Sequence, residues 1–288
     1  MQIPNHDTTT DSSNATHSAR LIGSSRITPP DSSEDVRHMI FETDDAGFDA
    51  RVGQCIRVMA PGQFGNIHHT RLYSLAHIDH TDAQCTEFSL LVRRCTYLDD
   101  FSGERYDGVA SNYLCDLPMG SVMTFSGPVG HPFSIPANRR APLLMVGMGT
   151  GIAPFRGLVS RIYDARGGWE GKVRLFYGAR SGLEMLYMNT ENADLANYFD
   201  QATFKAFQAL SPRPHFDEPP AMGAALDQHA SEIKEMLQDP QTHIFIAGPQ
   251  AMLGQVENSF ERIVGNTEDW PTLYKHLLDS GRWNQVLY

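Results

Sequence analysis

The segment MVGMGTGIAPFR, residues 145–156, sets Gly147, Gly149 and Gly151 between an apolar run and a stretch of helical spacing. Glycines let the backbone come close to a ligand, and the helix that follows offers N–H groups to a pyrophosphate. A cluster of this kind also serves as a plain turn, but Pro154, suited to a first helical turn, and the strand–turn–helix context favour a dinucleotide. RLYS, residues 71–74, strings an Arg, an aromatic ring and a hydroxyl along one strand, with Arg71 and Tyr73 on one face and Leu72 and Ser74 on the other. Alone, that is the pattern of any half-buried strand. GVASNYLCDL, residues 108–117, argues for more, since Gly108 to Ser111 form a second phosphate-accepting turn that a barrel without a ligand does not need.

Two kinds of element must carry these residues. From about Ala19 to Pro136, short apolar runs such as HMIFET (38–43), TRLYSLAHI (70–78), FSLLVRRCTY (88–97) and SVMTFSGP (121–128) alternate with Gly-, Pro- and Asp-rich turns. That is how a small antiparallel β-barrel reads. After IPANRRAP (135–142), strands at PLLMVG (142–147), VRLFYGA (173–179), FKAFQAL (204–210) and HIFIAG (243–248) alternate with helices at 155–165, 222–237 and 249–264. Such alternation means a doubly wound parallel sheet with its ligand site at the carboxyl ends of the strands. The expected organisation is a disordered leader over 1–18, a barrel domain over 19–138 and an α/β domain over 139–288.

Composition agrees with two globular domains: 288 residues, 41% hydrophobic and 20% charged, with no apolar run of membrane-spanning length. The polar first 17 residues have no signal-peptide core, so a cytoplasmic location is the default. The net charge of −11 speaks against nucleic acid; residues 1–138 hold 9 Arg, no Lys and 17 acids. Cys55, Cys85, Cys95 and Cys115 lack the spacing of a zinc or iron–sulfur site, and Cys115 reads as a small buried hydrophobe. His68, His69, His77 and His80 lack a third ligand and read as solvent-facing.

Taken in order, RLYS, LLVRRCTY, GVASNYLCDL, GPVG, GTGIAPFR and YGAR, with the closing EDWPTLYKHLLDSGRWNQVLY (268–288), resemble the plant-type ferredoxin–NADP+ reductase family over nearly the whole chain. The resemblance implies an FAD-binding barrel followed by an NADP-binding α/β domain. It implies that Arg71, with the turn of Gly108, Val109, Ala110 and Ser111, holds the flavin pyrophosphate. Leu72 and Tyr73 would lie in the flavin site, Tyr73 against the isoalloxazine, and Ser74 would bond near flavin N5. Arg93 and Tyr97 match the family's basic residue and adenine-stacking tyrosine. Gly149, Thr150 and Gly151, with Gly248, would stand where the cofactors meet, and Tyr288 would stack on the second flavin face and move aside for nicotinamide.

Three positions depart from the family pattern: Ala247 stands for its Cys, Val286 for its Glu, and Ala110 for the first residue of its CSN turn. The cofactors carry hydride transfer, so catalysis should survive these changes. Ser211 and Arg213 fall where the family clamps a 2′-phosphate, with Arg180 to assist, although Ala221 and Gly223 replace its Tyr and Gln. This favours NADPH and leaves NADH open.

The function implied is transfer of a hydride from NADPH to flavin N5, then of single electrons to a separate carrier: a ferredoxin, a flavodoxin or an oxygenase component. The alternatives are a flavin reductase or diaphorase acting on small acceptors, and a non-catalytic nucleotide-binding module. An acidic ferredoxin would need a local Arg patch, to which Arg93, Arg94 and Arg105 could contribute. A monomer or weak oligomer is expected.

Overall fold

Alternating burial starts at Thr16, inside the segment expected as leader. Strand β1 (Thr16–Arg26) turns His17, Ala19 and Leu21 inward. His17 can face the core because its ring nitrogens bond Asp45 Oδ2 at 2.7 Å and the Gly127 carbonyl at 3.1 Å. The structure, a computed structural model, describes residues 15–63, 65–82, 85–213, 219–265 and 269–288; residues 1–14 of the expected leader lie outside these.

Six antiparallel strands close a barrel in the order β1, β2 (Val36–Thr43), β5 (Cys85–Arg93), β4 (His68–Asp82), β3 (Cys55–Pro61) and β8 (Val122–Val129), with β8 returning to β1. Phe48, Phe88 and Phe125 fill the interior with ring centroids 5.1–5.5 Å apart. A hairpin of β6 (Thr96–Leu98) and β7 (Arg105–Asp107) and a short helix, α1 (Val109–Cys115), lie between β5 and β8. Cys115 is buried, as its setting in an apolar stretch predicted, and burial pushes its thiol up to about 11.

The second unit is a five-stranded parallel sheet in the order β11 (Phe204–Leu210), β10 (Val173–Ala179), β9 (Leu143–Met148), β12 (His243–Gly248) and β13 (Trp283–Leu287). All seven residues of β10 are buried, which a strand covered on both faces requires. α3 (Met222–Gln228), α4 (Ala230–Gln238), α5 (Gln250–Val264) and α6 (Asp269–Asp279) contribute to the core on one face. The single helix expected over 222–237 is broken at His229, whose ring packs 4.0 Å from that of Phe207.

On the other face α2 (Ala153–Ser160), which continues into a wider turn at 161–165, packs against the barrel. Gly157 permits the approach, because a Cβ there would stand 3.1 Å from the Ala76 carbonyl. One core therefore joins Ile27, Val36, Ala76, Leu91 and Phe133 on the barrel side to Leu143, Met145 and Leu175 of the sheet and Phe155 of α2. Polar bonds finish the seam. His38 Nδ1 shares a 2.8 Å hydrogen bond with Tyr187 Oη, and Arg156, ion-paired with Asp194 at 2.8 Å, lies 5.3 Å from the Tyr187 ring centroid.

Candidate functional site

A cavity of about 880 Å³ opens at this seam, bounded by β3, β4 and the start of α1 on the barrel side and by the carboxyl ends of β9, β10 and β13 on the other. It brings together Arg71, Leu72, Tyr73, Ser74, Arg93, Tyr97, Gly108, Val109, Ala110, Ser111, Gly149, Thr150, Arg180 and Tyr288, residues that the sequence scatters over more than two hundred positions.

β4 supplies the first wall. Ser74 is paired with Cys55 across β3, and their Oγ and Sγ atoms lie 3.5 Å apart. Burial raises both the Cys55 thiol and the Tyr73 phenol above their ordinary values, so each remains neutral at physiological pH. The Arg71 side chain is exposed and bonds only the neighbouring Thr70 carbonyl, at 3.1 Å, among the described contacts.

α1 supplies the second wall. Its start is organised by Ser111, whose Oγ accepts from the Cys95 N–H at 3.1 Å and donates to the Gly108 carbonyl at 3.2 Å. The hydroxyl is committed to the turn, so the group offered to a ligand is backbone: Val109, Ala110 and Ser111 line the cavity, and the helix has no side-chain cap. A Cβ on Gly108 would come within 3.0 Å of Ser111 Oγ and 3.2 Å of the Cys95 carbonyl, closing the cradle. Tyr97, on the hairpin, stacks on Tyr106 at 5.6 Å and leaves much of its ring in solvent.

The opposite wall is the turn after β9. Gly149 takes φ +57°, and its carbonyl accepts from the buried Tyr177 hydroxyl at 2.9 Å. Thr150 Oγ1 lies 2.8 Å from Tyr288 Oη. The Tyr288 backbone is anchored on both sides, its N–H donating to Gly248 at 3.1 Å and its carbonyl accepting from Gln250 at 2.9 Å.

Four expected site residues stand outside the lining. Gly151 is a packing glycine: a Cβ there would meet the Ala247 carbonyl at 2.1 Å. Gly248 shapes the following turn, with φ +152°. Ser211 and Arg213 follow β11; Ser211 is buried with its Oγ unpartnered among the described residues, and Arg213 is exposed. Ala247 and Val286, two of the departures, are register partners on β12 and β13, so two apolar side chains stand together there, and Val286 lines the cavity.

Sequence reasoning missed Glu34, Cys55 and Glu184, and it placed His69 in solvent although His69 lines the cavity. His77 is half-buried, and burial followed by the Arg156 charge lowers its pKa. Two arginines of the expected patch are ion-paired within the chain, Arg93 with Glu34, and Arg94 with Asp35 at 3.0 Å and Asp116 at 2.7 Å, while Arg105 bonds the neutral Thr96 hydroxyl at 3.0 Å. The Arg93–Glu34 and Arg94–Asp35 pairs each span 59 residues, so local sequence carries no signal of them. Among the described residues there is no group of His, Cys, Asp or Glu that could hold a metal, and no helix is long and apolar enough to cross a membrane.

Comparison with known proteins agrees with this architecture. Residues 28–133 match the oxidoreductase FAD-binding domain, and residues 145–258 the oxidoreductase NAD-binding domain. The chain is 32% identical over 264 residues to a ferredoxin–NADP reductase from Spirulina sp., covering 88% of each. It is 30% identical to the cyanelle ferredoxin–NADP reductase of Cyanophora paradoxa, covering 93% of this chain and 76% of the relative. In fold it is similar to the ferredoxin–NADP+ reductase of Plasmodium falciparum, with a TM-score of 0.73 at 15% identity over 95% of this chain and 96% of the other.

Proposed function

The chain belongs to the ferredoxin–NADP reductase family of FAD-dependent oxidoreductases, and from that premise we propose that it draws electrons from NADPH and delivers them singly to a separate carrier protein. The observation that carries this reading is the meeting of Ser74, the Gly108–Ser111 turn, Thr150 and Tyr288 around one cavity at the seam of the two units. The donor set suits a flavin dinucleotide: an exposed guanidinium at Arg71 and an uncapped helix start for phosphate, and apolar surface around Tyr73 for a ring system.

When bound, FAD would supply a two-electron acceptor for a single hydride from nicotinamide and a one-electron donor for the carrier. The chain's own work is placement. Arg71 and the N–H groups of Val109, Ala110 and Ser111 hold the pyrophosphate. Tyr73 packs along the ring system, and its raised pKa keeps it uncharged there. Ser74 fixes the reacting edge by a hydroxyl hydrogen bond. Tyr288, anchored through its backbone and tied by its hydroxyl to Thr150, covers the face that nicotinamide needs, so its ring swings away while the chain beneath stays fixed. Its return excludes water between turnovers.

The carrier is a ferredoxin, a flavodoxin or an oxygenase component. Reduction of small acceptors is the second reading, favoured by the ion-paired state of Arg93 and Arg94, which leaves less positive surface for an acidic carrier. Anaerobic addition of NADPH to the purified yellow protein should bleach it faster than NADH does, and added ferredoxin should raise cytochrome c reduction. A colourless protein that yields no flavin on denaturation would refute the enzyme reading; acceptor reduction indifferent to any carrier would leave only small acceptors.

A further inference from the structure

Glu34 stands in the cavity between two cations. Its backbone is pinned first: the Glu34 carbonyl accepts from Thr28 Oγ1 at 2.6 Å and Arg26 Nη2 at 3.1 Å, and its N–H donates to Ser32 Oγ at 3.2 Å. The carboxylate is thereby held in place, its side chain 17% exposed. Oε1 accepts from Arg93 Nη2 at 3.1 Å and lies 3.8 Å from Arg180 Nη2, while Oε2 meets Arg93 Nε. Arg180 also donates to Ser33 Oγ at 3.0 Å and to Glu184 Oε1 at 3.4 Å. Two carboxylates thus balance two guanidinium groups, and the cluster presents no net charge to an arriving anion.

We propose that Glu34 is a specificity-setting residue: a built-in anion that occupies Arg180 in the nucleotide-free protein and competes with the 2′-phosphate of the incoming coenzyme. The inference rests on the NADPH reading above. Strand register supports it. Ala179 pairs with Leu210, so Arg180 and Ser211 leave the adjacent carboxyl ends of β10 and β11, where nucleotide sites of parallel sheets lie. The buried Ser211 hydroxyl, unpartnered among the described residues, is a donor that a phosphate oxygen satisfies. The Glu34 carboxylate, 3.8 Å from Arg180 Nη2, draws on the same guanidinium charge that a phosphate would, so a nucleotide placed there must offset that attraction. Affinity for NADP+ is therefore set below what Arg180 alone would give, and NAD+, which lacks the 2′-phosphate, is unaffected.

The test titrates the full-length, flavin-loaded protein with NADP+ and separately with NAD+, following the flavin difference spectrum. Glu34→Gln removes the charge and keeps the shape; it should tighten NADP+ binding about tenfold and leave NAD+ within about twofold. In an Arg180→Met background the same substitution should change NADP+ binding by less than about twofold, because the competed group is gone. Glu34→Asp, which keeps the charge, should keep the wild-type ratio of the two affinities, and it serves as the control if Glu34→Gln lowers the urea midpoint. A purely structural ion pair predicts lost stability and no split between the coenzymes. Equal shifts for NADP+ and NAD+, weaker NADP+ binding, a full effect in the Arg180→Met background, or a raised ratio in Glu34→Asp would each overturn the inference. Wild-type protein with no saturable response to either nucleotide overturns the NADPH reading itself, and the inference with it. Wild-type protein that binds NADP+ while Glu34→Gln changes nothing removes only the role of Glu34.

Discussion

The His38–Tyr187 contact makes the seam sensitive to acid. His38 is 8% exposed, and burial, reinforced by the Arg156 charge and by His77 and opposed by Asp194, lowers its pKa from 6.5 to about 4. The unfolded chain therefore binds a proton between those pH values that the folded chain refuses. Stability from this group is full above pH 6.5 and is lost as pH falls towards 4. At about 1.4 kcal/mol for each pKa unit, the loss is about 3 kcal/mol. The perturbation is His38→Gln, which cannot titrate and retains an amide for Tyr187. Urea unfolding followed by tryptophan fluorescence, at steps from pH 7.5 to pH 4 and constant ionic strength, gives both stabilities. At pH 7.5 the variant should be less stable by about 1 kcal/mol, because the flexible amide holds Tyr187 less well than the fixed ring does. At pH 4 the order should reverse, the difference having moved by about 3 kcal/mol in the variant's favour. Other acids titrate in both proteins and cancel in the comparison. Parallel curves, with a difference constant within about 0.5 kcal/mol, would show that His38 does not titrate against the seam and would sink the argument.

Three further outcomes are expected. Deleting Tyr288 should uncover the site and tighten binding of nicotinamide nucleotides, NADH most; unchanged affinities for both coenzymes would remove the covering role. Gly151→Ala puts a Cβ 2.1 Å from the Ala247 carbonyl and should cost on the order of 3 kcal/mol in urea unfolding, against no loss if Gly151 merely contacts ligand. Arg213→Ala should weaken NADPH binding more than NADH binding, and equal weakening would take Arg213 out of 2′-phosphate recognition.

The sheet strands were the most legible part of the fold. VRLFYGA and FKAFQAL coincide with β10 and β11 from first residue to last: β10 is buried at every residue, as a strand covered on both faces must be, while β11 at the sheet edge leaves Lys205 and Gln208 exposed and is bounded by the turn residues on either side. β1 was harder: His17 turns inward, and only its bonds to Asp45 and Gly127 excuse a polar residue there. The helix over 222–237 reads as one apolar stripe, yet tertiary packing of His229 on Phe207 interrupts it. In the site, short contiguous motifs were readable because their residues face the cavity from one turn or one strand. Glu34 was not, since its bond to Arg93 spans 59 residues and nothing in a loop rich in Ser, Pro and Asp marks it. The pairing of Ala247 with Val286 was equally hidden: two departures noted separately turn out to be one spot in the sheet.

The core shared by barrel and sheet sets a limit on modularity. Ile27, Val36, Ala76, Leu91 and Phe133 are buried against Leu143, Phe155 and Leu175, so each unit has a core of its own and shares a further one with its neighbour. Cutting the chain near residue 138 would leave two halves, each with an apolar face turned to water, and grafting this barrel onto a foreign nucleotide domain would require that face to be rebuilt. The two units are consecutive in the sequence, but the core they share makes them one piece for anyone who would engineer either.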